Sequence, residues 1–114
     1  MTITNVYAVI PTADIDAATA WWATLLGRAP DRIPMPTDAE WFFASGGLQV
    51  VADAEHAGAG TITLGVDDVD AELRSIAERG VDVPQAETVP SGQFRIATLH
   101  DPDGNTIVFA QELR

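Results

Sequence analysis

Two histidines, His56 and His100, are the side chains able to trade protons near neutral pH, and there is no cysteine. That absence excludes thiolate metal sites, iron–sulfur clusters and thiol nucleophiles together. His56 lies in Glu55-His56-Ala57-Gly58, a stretch of loop character, and reads as a solvated side chain. His100 stands at the end of an apolar run, just before a turn, where an acid or base would reach a cleft. It is the one candidate for catalysis, a weak one because no activating partner sits at a telling spacing. Ser45, Ser75 and Ser91 lack the strand–turn–helix setting of a nucleophile elbow. Gly58-Ala59-Gly60 lacks the lysine of a phosphate loop and reads as a flexible link.

Carboxylates are abundant: 17 acids face six basic residues, all arginine, for a net charge of −11. Asp14, Asp16, Asp68 and Asp70 fall where helices begin, so capping accounts for them. Asp101 and Asp103 belong to a turn, while Asp38, Glu40, Asp53 and Glu55 read as solvated charges at the rim of a cleft. The acidic balance argues against nucleic acid and against anionic membrane surfaces, since both demand clustered cations. Such a field would draw a cationic small molecule, while acidity of this kind also serves simply to keep a protein soluble. Hydrophobic residues at 46% with charged residues at 20% place the chain among globular domains. No apolar run approaches the roughly 20 residues of a membrane span, and Met1-Thr2-Ile3-Thr4-Asn5 carries no basic leader, so the cytoplasm is the expected compartment.

The 114 residues fit one domain, spanning 1–114. Residues 3–10 read as a strand, and Asp14 or Asp16 caps a helix running to Leu26 with Gly27 as its stop. On that helix Ala18, Trp21, Trp22, Leu25 and Leu26 form one stripe. Residues 28–39, with three prolines, read as loop with one short strand, and 40–44 and 48–52 as strands paired through Ser45-Gly46-Gly47. Residues 61–66 then give a strand. Asp68 caps a helix turning Val69, Leu73, Ile76 and Ala77 inward, and Gly80 ends it. Strands follow over 81–89, 94–99 and 106–111, the first weakened by Pro84 and the last preceded by the turn Asp101-Pro102-Asp103-Gly104-Asn105. Sliding the chain by 54 residues superposes residues 7–17 on 61–71, with Asp14/Asp68, Asp16/Asp70 and Ala17/Ala71 identical. Each half is strand, helix and then about three strands.

The line Tyr7, Asp14-Ile15-Asp16, Ala20-Trp21-Trp22, Leu25-Leu26-Gly27 resembles the opening of the vicinal oxygen chelate superfamily, which holds glyoxalases, dioxygenases and bleomycin-binding proteins. Leu64-Gly65-Val66-Asp67-Asp68-Val69, Gly80-Val81 and Asp101-Pro102-Asp103-Gly104-Asn105-Thr106-Ile107 extend that resemblance over nearly the whole chain. It implies an α+β fold of two βαβββ modules, about 1–55 and 60–114, whose mixed sheets curve around a cleft, assembled as a homodimer. A ferredoxin-like sandwich is the competing architecture, but it has no place for the extra strands.

Enzymes of that superfamily hold a divalent metal with His on a module's first strand and Glu on its last. Carried over, those positions are Tyr7, Gln49, Thr61 and Val108, and none is His, Asp or Glu. Their neighbours supply no substitute, so neither metal nor cofactor is expected. Trp41 and Phe43 alternate onto one face of their strand, with Phe42 on the other. Trp41 and Phe43 belong either to the core or to a flat aromatic wall that would contact a ligand beside Tyr7, Gln49, Thr61 and Val108. The leading functional reading is thus a metal-free binder of a small organic molecule, cationic or aromatic. A metal-dependent lyase or dioxygenase and a regulatory protein-interaction module stand as alternatives.

Overall fold

A computed structural model describes residues 1–113. The order is β1 (Tyr7–Thr12), α1 (Ile15–Leu26), β2 (Arg32–Met35), β3 (Asp38–Phe43), β4 (Gly46–Ala52), β5 (Thr61–Gly65), α2 (Val69–Glu78), β6 (Glu87–Thr88), β7 (Phe94–His100) and β8 (Thr106–Glu112). These form two mixed four-stranded sheets, β1-β4-β3-β2 and β5-β8-β7-β6, so the two halves repeat one path. In each, the module's first strand pairs in parallel with its last, and the helix supplies the crossover.

Local chemistry explains the element ends. Asp14 accepts from the Ala17 amide and Asp68 from the Ala71 amide, each at 3.1 Å, capping α1 and α2. Gly27 ends α1 in the left-handed region at φ 75°. β1 begins at Tyr7 rather than Ile3, because its partner β4 starts pairing there and residues 1–6 have no strand beside them. It also continues through Pro11, which is tolerated because β1 is an edge strand. The strand expected over 81–89 shrinks to Glu87–Thr88. Pro84 interrupts it, and Val81, Val83 and Ala86 pack irregularly on the core instead. Ala77 is exposed rather than inward, whereas Val69, Leu73 and Ile76 are buried.

Both helices cover the same side, and one hydrophobic core runs through both modules. It includes Trp22, Leu25, Trp41 and Leu48 from the first and Ile76, Ile107 and Phe109 from the second. Arg79, after α2, donates Nε to the Thr24 carbonyl and Nη2 to the Leu25 carbonyl, both at 2.6 Å. A cation thus sits on the negative end of α1, joining the helices. The face of each sheet away from the helices stays open, and the sheets are not hydrogen-bonded to each other.

β1 and β5 meet along a seam, and one end of it is fastened by the closing turn. Asn105, fully buried, accepts from the amides of Gly58 (3.0 Å) and Gly60 (2.8 Å) and donates to the Pro11 carbonyl and to Asp101, both at 2.8 Å. Thr12 donates its hydroxyl to Asp103 at 2.6 Å. The stretch expected to be a flexible link is therefore pinned. At Gly58, with φ 91°, a Cβ would lie 2.6 Å from the Asp103 carbonyl oxygen, so the turn and the link fit only through glycine.

Candidate functional site

Strand register decides which side chains reach the open faces. Ala39, Trp41 and Phe43 pair with Val50, Leu48 and Gly46, while Asp38, Glu40 and Phe42 pair with Val51, Gln49 and Gly47. Leu48 and Val50 lie in the core beneath α1, so Trp41 and Phe43 share the helix side. This reverses the expected wall. Trp41 is fully buried and donates its indole N–H to the Arg28 carbonyl at 3.1 Å. Phe43 is partly exposed on the helix side, under the Arg28 guanidinium. The open-face aromatic of β3 is Phe42, packed edge-on to Tyr7 with ring centres 6.1 Å apart. Alternation divides the strand correctly; which set faces the helix depends on where α1 lands.

Tyr7 and Gln49 both stand on the open face of module one, and Thr61 and Val108 on that of module two, because β1 pairs with β4 and β5 with β8. Around Gln49 a polar ladder crosses three strands. Its Nε2 donates to Glu40 Oε2 at 2.6 Å, and Arg32 from β2 grips Glu40 Oε1 through Nε and Nη2, each at 2.6 Å. Arg32 also lies over the Phe42 ring at 5.1 Å, with the Tyr7 hydroxyl close by. Burial alone would raise the Glu40 carboxyl pKa, but the hydrogen bonds from Gln49 and Arg32 outweigh it and hold it low. Asp38 is pushed the other way, first by burial and then by the Glu40 charge beside it. Its Oδ1 is buried with no hydrogen-bond partner.

Asp38 and Glu40, expected as solvated rim charges, are 6% and 2% exposed. Arg32 and Gln49 cover Glu40 from the neighbouring strands, an arrangement that single-strand reasoning does not contain. A signal for half of it exists: folding the β3–β4 hairpin about Ala44-Ser45 sets Glu40 opposite Gln49. Module two offers a simpler face. Thr61 and Thr63 from β5, Val108 from β8 and Thr98 and His100 from β7 share it, with His100 opposite Thr106 and exposed. His56 is exposed and paired with Asp53 at 2.8 Å, away from these strands.

The donor set does not fit a divalent metal. A phenol, a carboxamide, an alcohol and a hydrocarbon occupy the four positions, and the carboxamide nitrogen is engaged with Glu40. Among the described residues no three His, Cys, Asp or Glu come together in a way that would hold an ion.

Two βαβββ repeats with helices on one side and open sheet faces on the other define the architecture of glyoxalases and bleomycin-resistance proteins. A family model described as a glyoxalase-like domain matches residues 7–109, and the chain belongs to that family, within the vicinal oxygen chelate superfamily. It is similar to the crystal structure of a glyoxalase/bleomycin resistance protein from Catenulispora acidiphila DSM 44928, at 39% identity and TM-score 0.87, over 96% of this chain and 98% of that one. TnmS3, an antibiotic-binding protein from Streptomyces sp. CB03234, shares 27% identity at TM-score 0.77, with 99% of each chain covered. A bleomycin-binding protein solved with bleomycin shares the fold at TM-score 0.78 and 20% identity, over 98% of this chain and all of the other. Comparison with curated proteins gives no match.

Proposed function

We propose that this chain is a metal-independent, cytoplasmic binder of small organic molecules of cationic, aromatic character, acting by sequestration rather than turnover. The observation that carries this reading is the state of Gln49. Where a metal-dependent relative would present a carboxylate, this chain has an amide already bonded to Glu40. The Tyr7–Phe42 pair, rather than Trp41 and Phe43, is the aromatic wall of the open face, and the Arg32 guanidinium stacked on Phe42 fixes its orientation. Thr61, Val108 and His100 form the facing lining from module two, where Glu87 and Glu112 add exposed negative charge opposite Ile96 and Phe94. Antibiotic-binding proteins among the similar structures support a small organic ligand.

The protein acts as a homodimer in this reading. Val9 on the open face of β1 and Phe94 on that of β7 are exposed at 51% and 41%, apolar surface that a second copy would cover. Sedimentation across a concentration series tests this, and a monomer throughout would refute it.

Calorimetric titration with metal-free bleomycin and with simple cationic aromatic dyes, in the presence of EDTA, tests the function. Saturable binding that weakens in Phe42→Ala is the expected result. A folded protein that binds nothing across the panel overturns it, as does one retaining a stoichiometric divalent metal after dialysis against metal-supplemented buffer.

A further inference from the structure

The repeat makes the two ends of the β1–β5 seam structural counterparts, yet only one is fastened. The Thr106 amide donates to the Gly60 carbonyl and the Gly47 amide to the Val6 carbonyl, both at 2.9 Å, so matched bonds open β8 and β4. Asn105 and Gly46 precede those residues and occupy equivalent places. By the same correspondence Ala44 stands for Asp103, and Val66 for Thr12. Each side chain that crosses the seam at the fastened end is replaced at the other by a hydrogen, a methyl or an isopropyl group. An open cavity of about 430 Å³ lies there. Leu26, Phe43, Leu64, Val66 and Phe109 give it apolar walls, and Glu72 from α2 reaches it.

Size and lining suit a small molecule, since ligand sites are largely apolar hollows of roughly 300–1,000 Å³ with a few polar groups. The charge is specific as well. Glu72 has no ion-pair or hydrogen-bond partner for its side chain among the described residues, in a chain of net charge −11. A cation entering this hollow would meet a half-buried carboxylate rather than one already neutralised.

We propose that the unfastened end of the seam is a second binding site, separate from the open sheet faces, that takes a compact apolar primary amine with its ammonium on Glu72. The cavity exists because Gly46 replaces the asparagine of the repeat, and the amine's apolar body occupies the space that Asn105 and its partners fill at the other end.

The experiment follows backbone amides of Gly46, Gly47, Gly65 and Val66 by NMR during titration with phenethylamine and with 2-phenylethanol, its neutral counterpart. Both should shift these amides saturably, the amine binding about tenfold more tightly through its charge-assisted contact. Glu72→Gln should bring the amine down to the level of the alcohol. Gly46→Asn restores the repeat's residue, at the cost of a Cβ 3.1 Å from the Val6 carbonyl oxygen, and should remove binding of both. If it does not fold, Val66→Phe serves instead, since Val66 is one of the cavity's apolar walls and a larger ring there takes up the space. Absent or unsaturable shifts overturn the proposal. So do shifts confined to Tyr7, Gln49, Thr61 and Val108, an amine preference that survives Glu72→Gln, or concentration-dependent shifts of the same four amides without probe, which would mean that a second copy fills the space. Binding at the open faces is scored separately, by the bleomycin and dye titrations and by shifts at Tyr7, Gln49, Thr61 and Val108, so either proposal can fail alone.

Discussion

The two modules follow one chain path and bury different polar groups. Module one places its polar cluster, buried Asp38 and Glu40 with Gln49 and the half-exposed Arg32, on the open face of its sheet. Module two leaves that face to threonines, Val108 and exposed charges, and gathers its own at the seam, in Asp101, Asp103 and Asn105. Buried polar groups are costly unless fully partnered, so where a module keeps them indicates what they do. Asn105 uses both ends of its amide and holds two modules together. The module-one cluster leaves Asp38 Oδ1 without a partner and leaves Arg32 about half exposed, the condition of a surface with capacity left for something else.

The largest effect expected from breaking this contrast lies at the fastener. Asn105→Ala deprives the Gly58 and Gly60 amides and the Pro11 carbonyl of their partners at a buried point. At about 1–3 kcal/mol for each group left unpaired, with some regained by water, the loss should be about 4 kcal/mol. For a domain of this size that is a fall in melting temperature of roughly 15 °C. Calorimetry measures it, and a loss below about 1 kcal/mol would show that the seam does not depend on this turn.

Glu40→Gln comes next. The isosteric amide removes the charge that Gln49 and Arg32 share, and the expected cost is about 2 kcal/mol by chemical denaturation at pH 7. Its pH dependence has a definite sign. Glu40 is held low in the folded state, so its contribution is complete above the ordinary carboxylate range and fades as pH falls through its folded value. The variant's deficit should therefore shrink in acid. Weakened ligand binding alongside intact folding would link the ladder to the open face.

Asp38→Asn should act in the opposite direction. Its carboxyl is raised by burial and by Glu40, so the folded state binds that proton more tightly than the unfolded chain. Ionisation then costs stability, a penalty that grows as pH rises from the unfolded value towards the folded one and stays constant above it. Asparagine has no charge to bury and has an amide to donate to Glu40. A gain of about 1 kcal/mol at pH 7, vanishing below about pH 4, is expected from denaturation curves across that range. A pH-independent difference would mean that the Asp38 charge is not what is removed.

Much of this contrast was legible in the chain, and the reason differs by element. Asp68, Gly27 and the choice between Asp14 and Asp16 are legible because a cap is a local interaction, complete within four residues, and the structure selects Asp14. The closing turn is legible on the same basis, whereas the repeat shows on sliding the chain by 54 residues and the positions Tyr7, Gln49, Thr61 and Val108 come from the family pattern. The side that Trp41 and Phe43 take is not legible, because alternation separates two faces without naming the one the helix covers. Asp38 and Glu40 looked solvated because the groups that bury them arrive from β2 and β4. Asn105 looked like a turn residue, which it is. Its second function depends on a link 45 and 47 residues earlier that reads as slack until the seam is assembled.

The smallest expected effect is the most diagnostic of how independent the two seam ends are. Gly46→Ala adds a methyl group 3.1 Å from the Val6 carbonyl oxygen, where a few tenths of an ångström must be found. Against that small strain stands the reduced freedom of the unfolded chain, a gain of roughly 0.4–1 kcal/mol where the backbone is not in the left-handed region. The two nearly cancel, and the net change should stay within about 0.5 kcal/mol. Gly46 and Asn105 are separated by about the length of β1, roughly 17 Å at 3.3 Å per residue, far enough for independent sites to add. The double variant with Asn105→Ala should therefore lose what Asn105→Ala loses alone. A coupling above about 1 kcal/mol would mean that strain at one end of the seam is carried to the other. The open end would then be part of the fastening rather than a place left free of it.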